Sequence, residues 1–262
     1  GVGNVIYEAG ATWEAHKIAL KIACDDGAQG EYVTHWVGTP STLGQMKMLA
    51  PHLLGRDPEQ RELIYDDLKR DIRAYDHMGH GPIDIALWDL KGKAAGLPVY
   101  RLLGGTRTSV FTYSTGGYYV PGAPLEVVGE EMASYVEMGY RAVKIKTGAL
   151  SLEDELTRVR VTRDAIGPDT LLMLDMNAPY GVEDCIKFAN AVAPYDIFWL
   201  EEPLHWHLQP ADYVRLAAGS PIPLAHGERE WTRFTIRDFI NSGALKYVQF
   251  DSTRHAGFTE SL

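Results

Sequence analysis

From about residue 106 onward, short apolar runs alternate with longer amphipathic stretches, and each run ends on a charge. The runs are AVKIK (142–146), LLMLD (171–175), IFWLE (197–201), IPLAHGE (222–228) and YVQFD (247–251), which close on Lys146, Asp175, Glu201, Glu228 and Asp251. These five residues follow one another at intervals of 29, 26, 27 and 23. A strand with its returning helix takes about 25–30 residues in a parallel β/α barrel, so the rhythm predicts such a barrel over 106–262. SVFTYSTGG (109–117) reads as its opening strand. Polar residues at the carboxyl ends of barrel strands face the mouth, where the chemistry of this architecture is done.

Residues 1–105 follow another pattern and are expected to form a small α+β domain. HKIALKIACDDGAQGEYV (16–33) reads as two strands around Asp25-Asp26-Gly27, a hairpin signal. TLGQMKMLAPHLLG (42–55), EQRELIYDDLKRDIRAY (59–75) and IDIALWDLKGKAAG (83–96) carry helical periodicity, the last stopped by Gly96 and Pro98. Gly104-Gly105 marks the change of pattern.

Composition narrows the class. With 262 residues, 45% of them hydrophobic, the chain can bury a sizeable core. No run approaches the roughly 18 apolar residues of a membrane span, so no membrane partner is expected. Two cysteines, Cys24 and Cys185, without CxxC spacing, suit a reduced cytoplasm. A net charge of −10 disfavours nucleic acid and would repel an anionic substrate unless local cations reverse the field.

Local cations and carboxylates do converge on the predicted barrel mouth. Asp175, Glu201 and Glu228 supply three hard oxygen donors from three consecutive strands, which suits one Mg²⁺ that keeps other positions for water and substrate. Left unpaired, they would repel one another by on the order of several kcal/mol. Lys144 and Lys146 lie two apart on one strand and point the same way. A lysine beside a metal and a second ammonium has its pKa lowered and becomes a general base. A metal on a substrate carboxylate facing such a base describes proton abstraction α to that carboxylate, with the enediolate stabilised. One carboxylate at a strand end would read as a cap or surface ion pair; three with the KIK strand read as a site.

The KIK at 144–146, DMN at 175–177, EEP at 201–203, GE at 227–228 and DSTRHAG at 251–257 together resemble the ordered motifs of the enolase superfamily, in its mandelate racemase subgroup. The stretch YDHMGHGPIDIALWDLKGKAAGLPVYRLLGG (75–105) resembles that family's capping domain and its link into the barrel. The resemblance implies an enolase-type (β/α) barrel with an N-terminal α+β capping domain, Mg²⁺ held by Asp175, Glu201 and Glu228, Lys146 as acid/base and Lys144 as its electrostatic helper. It places Asn177 toward the substrate and makes Asp251 the orienting member of a His-Asp dyad. His35-Trp36 resembles the family's mobile loop over the substrate. Glu202, beside a ligand, is a candidate for the substrate side. His226, two before Glu228, either contacts substrate or fills the barrel interior.

The dyad histidine of the family comes from a later strand, beyond Leu262, and His255 sits at a variable position of its motif. Six strands cannot close a barrel of about eight. The chain is therefore expected to be a portion of a longer protein, cut after the sixth barrel strand and lacking its first strand. The implied reaction is dehydration of a sugar acid to a 2-keto-3-deoxy acid, by a lyase that assembles as a homo-oligomer. Racemisation or epimerisation of a 2-hydroxy acid shares the first half-reaction. A non-catalytic acid-binding protein is the remaining alternative.

Overall fold

The computed structural model describes residues 16–34 and 39–262, and these divide into two compact units. One gathers 16–34 and 39–109 with 228–236 and 250–262. Its hairpin, β1 (Ala19–Ala23) and β2 (Gln29–Val33), pairs antiparallel from Ala19↔Val33 to Ala23↔Gln29. The turn forms as its residues dictate. Gly27 takes φ 91°, a conformation that costs glycine little, and the Asp26 carboxylate accepts from the Ala28 N–H at 2.9 Å.

Three helices complete the core of this unit. In α1 (Pro40–Leu49) the Thr39 hydroxyl accepts from the Thr42 N–H at 3.1 Å and Pro40 occupies the first turn, both strong start signals. The helix expected over 42–55 ends at Leu49 and tightens into a 3₁₀ turn at 50–52, because Pro51 brings no N–H to continue the ladder. Then come α2 (Arg61–Asp71), α3 (His80–Ala95), which stops at Gly96 with φ 64°, and the short α4 (Val99–Leu102). Leu49, Ile64, Leu68, Ile72, Ile83 and Leu87 form the buried core, with Leu20 and Ile22 of the hairpin packed on it. A Cβ on Gly30 would lie 2.0 Å from the Ala86 carbonyl, so only glycine allows β2 to lie this close to α3.

The other described unit is Val110–Gly227 with Arg237–Gln249. Its parallel sheet runs in chain order: β3 (Ser114–Gly116), β4 (Ala142–Lys146), β5 (Leu171–Asp175), β6 (Ile197–Glu201), β7 (Leu224–His226) and β8 (Tyr247–Val248). Between them come α5 (Val127–Glu137), α6 (Leu152–Ile166), α7 (Val182–Val192), α8 (Pro210–Gly219) and α9 (Arg233–Ser242). Alternate strand residues serve two faces. Val143, Ile145, Leu172, Leu174, Leu200 and Leu224 meet helix residues such as Val159, Phe188 and Leu216. Ala142, Met173, Trp199 and Ala225 form a second cluster with Tyr113 and Tyr247.

The expected α/β fold with a capping domain and a parallel sheet is present. Two strand ends differ from expectation. β7 stops at His226 and β8 at Val248, so Glu228 and Asp251 lie past the strands they were expected to close. Gly227 at φ 140° ends the first. In the second, Asp251 accepts from the N–H and hydroxyl of Thr253 at 2.8 and 2.6 Å and opens a turn.

Candidate active site

Three equally long apolar runs set the geometry of the site. Their parallel pairing brings Lys146, Asp175 and Glu201 into one register across β4, β5 and β6. Lys144, two residues before Lys146, shares its face. All four side chains are buried. Lys144 Nζ lies 2.5 Å from Glu201 Oε1 and 3.3 Å from Asp175 Oδ2, and Lys146 is ion-paired with Asp175. The aromatic ring of Tyr113 lies 5.4 Å from Lys144 Nζ and that of Tyr118 lies 5.6 Å from Lys146 Nζ.

Two ammoniums and two carboxylates make a neutral buried quartet. Burial works against the Lys144 charge, but Asp175 and Glu201 outweigh it and hold the amine above its ordinary value. Lys146 is held up in the same sense, burial being opposed by Asp175. Burial opposes ionisation of Asp175 as well, yet the two lysines draw its carboxyl below the ordinary range. Burial and the Asp175 charge push Glu201 up. Each ammonium touches a carboxylate, and that contact favours the charged amine.

The loops after β5 and β6 are locked to each other beside this quartet. Asn177 (φ 51°), Ala178 (φ 65°) and Glu202 (φ 43°) all adopt left-handed backbone. The cost, about 1–3 kcal/mol for each non-glycine residue, is sustained by surrounding bonds. The Asn177 N–H donates to Asp175 Oδ1 at 3.2 Å, its side-chain amide to Glu202 Oε2 at 3.3 Å, and the Ala178 N–H to the Glu202 carbonyl at 2.6 Å. Strain of this kind concentrates at functional sites.

Residues 7–104 match the family described as mandelate racemase / muconate lactonizing enzyme, N-terminal domain, and residues 127–262 match the family described as enolase C-terminal domain-like. The chain belongs to the enolase superfamily, in its mandelate racemase subgroup.

Among its relatives, the arabinonate dehydratase of Saccharolobus solfataricus is 31% identical over 256 residues, covering 94% of this chain and 67% of that protein. The D-galactarolactone cycloisomerase of Agrobacterium fabrum is 35% identical over 250 residues, covering 93% and 65%. The chain thus spans about two-thirds of the length of these curated relatives. A racemase from Streptomyces coelicolor with bound magnesium superposes at a TM-score of 0.87 and 29% identity, covering 94% of this chain and 75% of that one.

The donor set suits a hard divalent cation as far as it is gathered. Oxygens of Asp175 and Glu201 both reach the Lys144 ammonium, so they converge within range of one small cation, and carboxylate oxygens are the donors Mg²⁺ prefers. No group of three His, Cys, Asp or Glu is brought together for a metal among the described residues. Glu228 belongs to the other unit, where it is ion-paired with Arg254 at 3.1 Å. Asp251 is in that unit too, with Arg254 Nε 3.9 Å away.

His226 departs from its expected position. It sits on the helix side of the sheet, Nδ1 3.1 Å from the Tyr213 hydroxyl and its ring 4.5 Å from that of Phe239. Successive strand residues face opposite ways, and its neighbour Ala225 is the one that pairs with Glu201. His255 is likewise engaged elsewhere, its Nδ1 2.9 Å from the Glu230 carbonyl. His35 lies outside the described residues.

Two contacts to Glu201 had no place in the sequence reading. Trp199 Nε1 and Gln249 Nε2 both donate to Glu201 Oε2, at 3.1 and 3.0 Å. The signal for Trp199 was available, since it sits two residues before Glu201 and so shares its face.

Proposed function

We propose that this protein abstracts the proton α to the carboxylate of a sugar acid and expels water, giving a 2-keto-3-deoxy acid. The register that sets Lys146 and Lys144 against Asp175 and Glu201 carries this reading, because it buries a proton-transfer group beside two hard donors. Kinship with named sugar-acid dehydratases supports the class. In this reading the six strands belong to the superfamily's β/α barrel.

Asp175 and Glu201, joined by Glu228, would hold Mg²⁺. When bound, it would neutralise charge developing on the substrate carboxylate and also engage Asp175, whose pairing with Lys146 favours the protonated amine. Lys146 takes the α-proton, and Lys144 holds Glu201 in place. Asn177 and Glu202, locked in left-handed backbone, face the substrate hydroxyls. Asp251 orients a histidine that protonates the leaving hydroxide. His35, outside the described residues, is proposed as a further substrate contact.

Racemisation is a second reading, favoured by the magnesium-bound racemase of similar fold. Incubating the full-length protein with Mg²⁺ and a panel of sugar acids, and assaying 2-keto acid, separates the two. Keto-acid formation establishes a dehydratase; inversion at the α-carbon without keto acid establishes a racemase or epimerase. Mg²⁺-dependent binding with neither outcome would leave a non-catalytic binding protein and overturn the proposal.

A further inference from the structure

Against the loops that follow β3 and β4 lies a buried ionic cluster that the proposed chemistry does not use. Glu155 of α6 is fully buried. Its Oε1 accepts from three consecutive backbone N–H groups, Gly148 at 2.8 Å and Ala149 and Leu150 at 3.0 Å, and from the Tyr119 hydroxyl at 2.5 Å. Arg158, one turn on, donates to the Gly117 carbonyl at 2.5 Å and to the Lys146 carbonyl at 3.4 Å, and its guanidinium lies 4.4 Å from the Tyr119 ring centre. Glu155 Oε2 and Arg158 Nε are 3.7 Å apart.

These bonds tie down both loops that flank Lys146. The loop after β3 carries Tyr118, whose ring faces Lys146 Nζ, and the next residue is the Tyr119 that bonds to Glu155. The loop after β4 begins at Thr147, and its next three N–H groups all point at one carboxylate oxygen. A buried charge is an expensive way to close a surface loop, since a neutral side chain or water would serve. What the charge adds is rigidity, because three N–H groups aimed at one oxygen fix successive backbone angles, and charge-assisted bonds are stronger than neutral ones. A lysine reaches its proton through four rotatable bonds, so its backbone must be fixed for the amine to arrive in place. Misplacement by 1 Å can cost about 100-fold in rate.

We propose that Glu155, with Arg158 and Tyr119, is a positioning group that sets the Lys146 ammonium for proton transfer without touching substrate. The inference rests on Lys146 being the acid/base. It implies that Glu155→Gln, which keeps an acceptor but loses the charge, loosens residues 147–150 and moves Lys146 while Lys144 stays in place. Tyr119→Phe removes one bond to the carboxylate and is the milder variant.

The test uses the full-length protein with ¹³Cε-labelled lysine. In Glu155→Gln, and more weakly in Tyr119→Phe, the Lys146 signal, assigned by its loss in Lys146→Met, should shift or split while that of Lys144 holds. kcat for α-proton exchange should fall about 10- to 100-fold and about 3- to 10-fold in the two variants, with KM and Mg²⁺ affinity within about 2-fold of wild type. A merely structural role would lower the melting temperature of both variants with the Lys146 signal and kcat per folded molecule unchanged, and that would overturn the proposal. Should Glu155→Gln fail to fold, Tyr119→Phe decides by the same two readouts. A wild type that exchanges no α-proton would remove the proposed function, yet the Lys146 signal would still decide whether the cluster positions it.

Discussion

Asp84 offers a sharp test of the energetics of the first unit. It lies in α3, 2% exposed, and its carboxylate accepts from the Thr259 N–H at 3.0 Å and the Thr259 hydroxyl at 2.5 Å. Burial outweighs these bonds and the Arg61 charge, and pushes its carboxyl from 3.8 up to about 6. At about 1.4 kcal/mol per pH unit, ionising it in the folded chain costs about 3 kcal/mol relative to the unfolded chain. The folded state binds the extra proton between pH 4 and 6, so this group's contribution is intact below about pH 4, is lost as pH rises through 6, and stays lost above. Asp84→Asn cannot ionise, so the pH dependence that this group contributes is absent from the variant. The stability of Asp84→Asn relative to wild type should therefore improve by about 3 kcal/mol between pH 4 and pH 7.5, as read by urea unfolding across that range. Parallel curves for the two proteins would refute the reasoning.

Phe188, fully buried where α7 meets the sheet, should cost about 3–5 kcal/mol as Phe188→Ala in urea unfolding, and a loss under 1 kcal/mol would mean the helix layer is not packed as described. Trp199→Phe keeps an aromatic ring against Tyr113 and Tyr247 but removes the donor to Glu201, and should lower stability by about 2 kcal/mol. An unchanged midpoint would show that the bond contributes nothing. Asp175→Asn removes a proposed ligand and leaves Lys146 without its carboxylate, so calorimetry should show Mg²⁺ affinity falling by at least about 100-fold. In the wild type, saturating Mg²⁺ at 100 times its Kd should add about 2.7 kcal/mol of stability that EDTA removes, and a chelator-insensitive melt would argue against a resident cation.

Much of this architecture was legible in the sequence because parallel strands buried on both faces read as apolar runs, and a charge at the end of such a run stands out. Runs of equal length ending on Lys146, Asp175 and Glu201 came into the same register. Legibility failed where a single residue changes parity or pairing. His226 was placed on the mouth side by counting back from Glu228, but the strand stops at His226, two residues short of Glu228, and Gly227 at φ 140° breaks the alternation between them. Trp199 was legible by its spacing, two residues before Glu201 on the same face, but a tryptophan in an apolar run also reads as core, and the indole N–H donation to Glu201 decides between the two. The left-handed backbone of Glu202 and Ala178 has no signature in residue type, since only glycine or asparagine advertises it. The buried Glu155 was unreadable for a related reason: in LEDELTRVR it looks like one more solvated charge near a helix start.

The most direct measurement is wash-out of the α-proton of a bound sugar acid in D₂O, followed by ¹H NMR with and without EDTA and repeated with Lys146→Met. Proton abstraction at this site predicts loss of the α-proton signal that requires Mg²⁺ and is abolished in the variant. Exchange that survives EDTA, or that proceeds unchanged without Lys146, would contradict it.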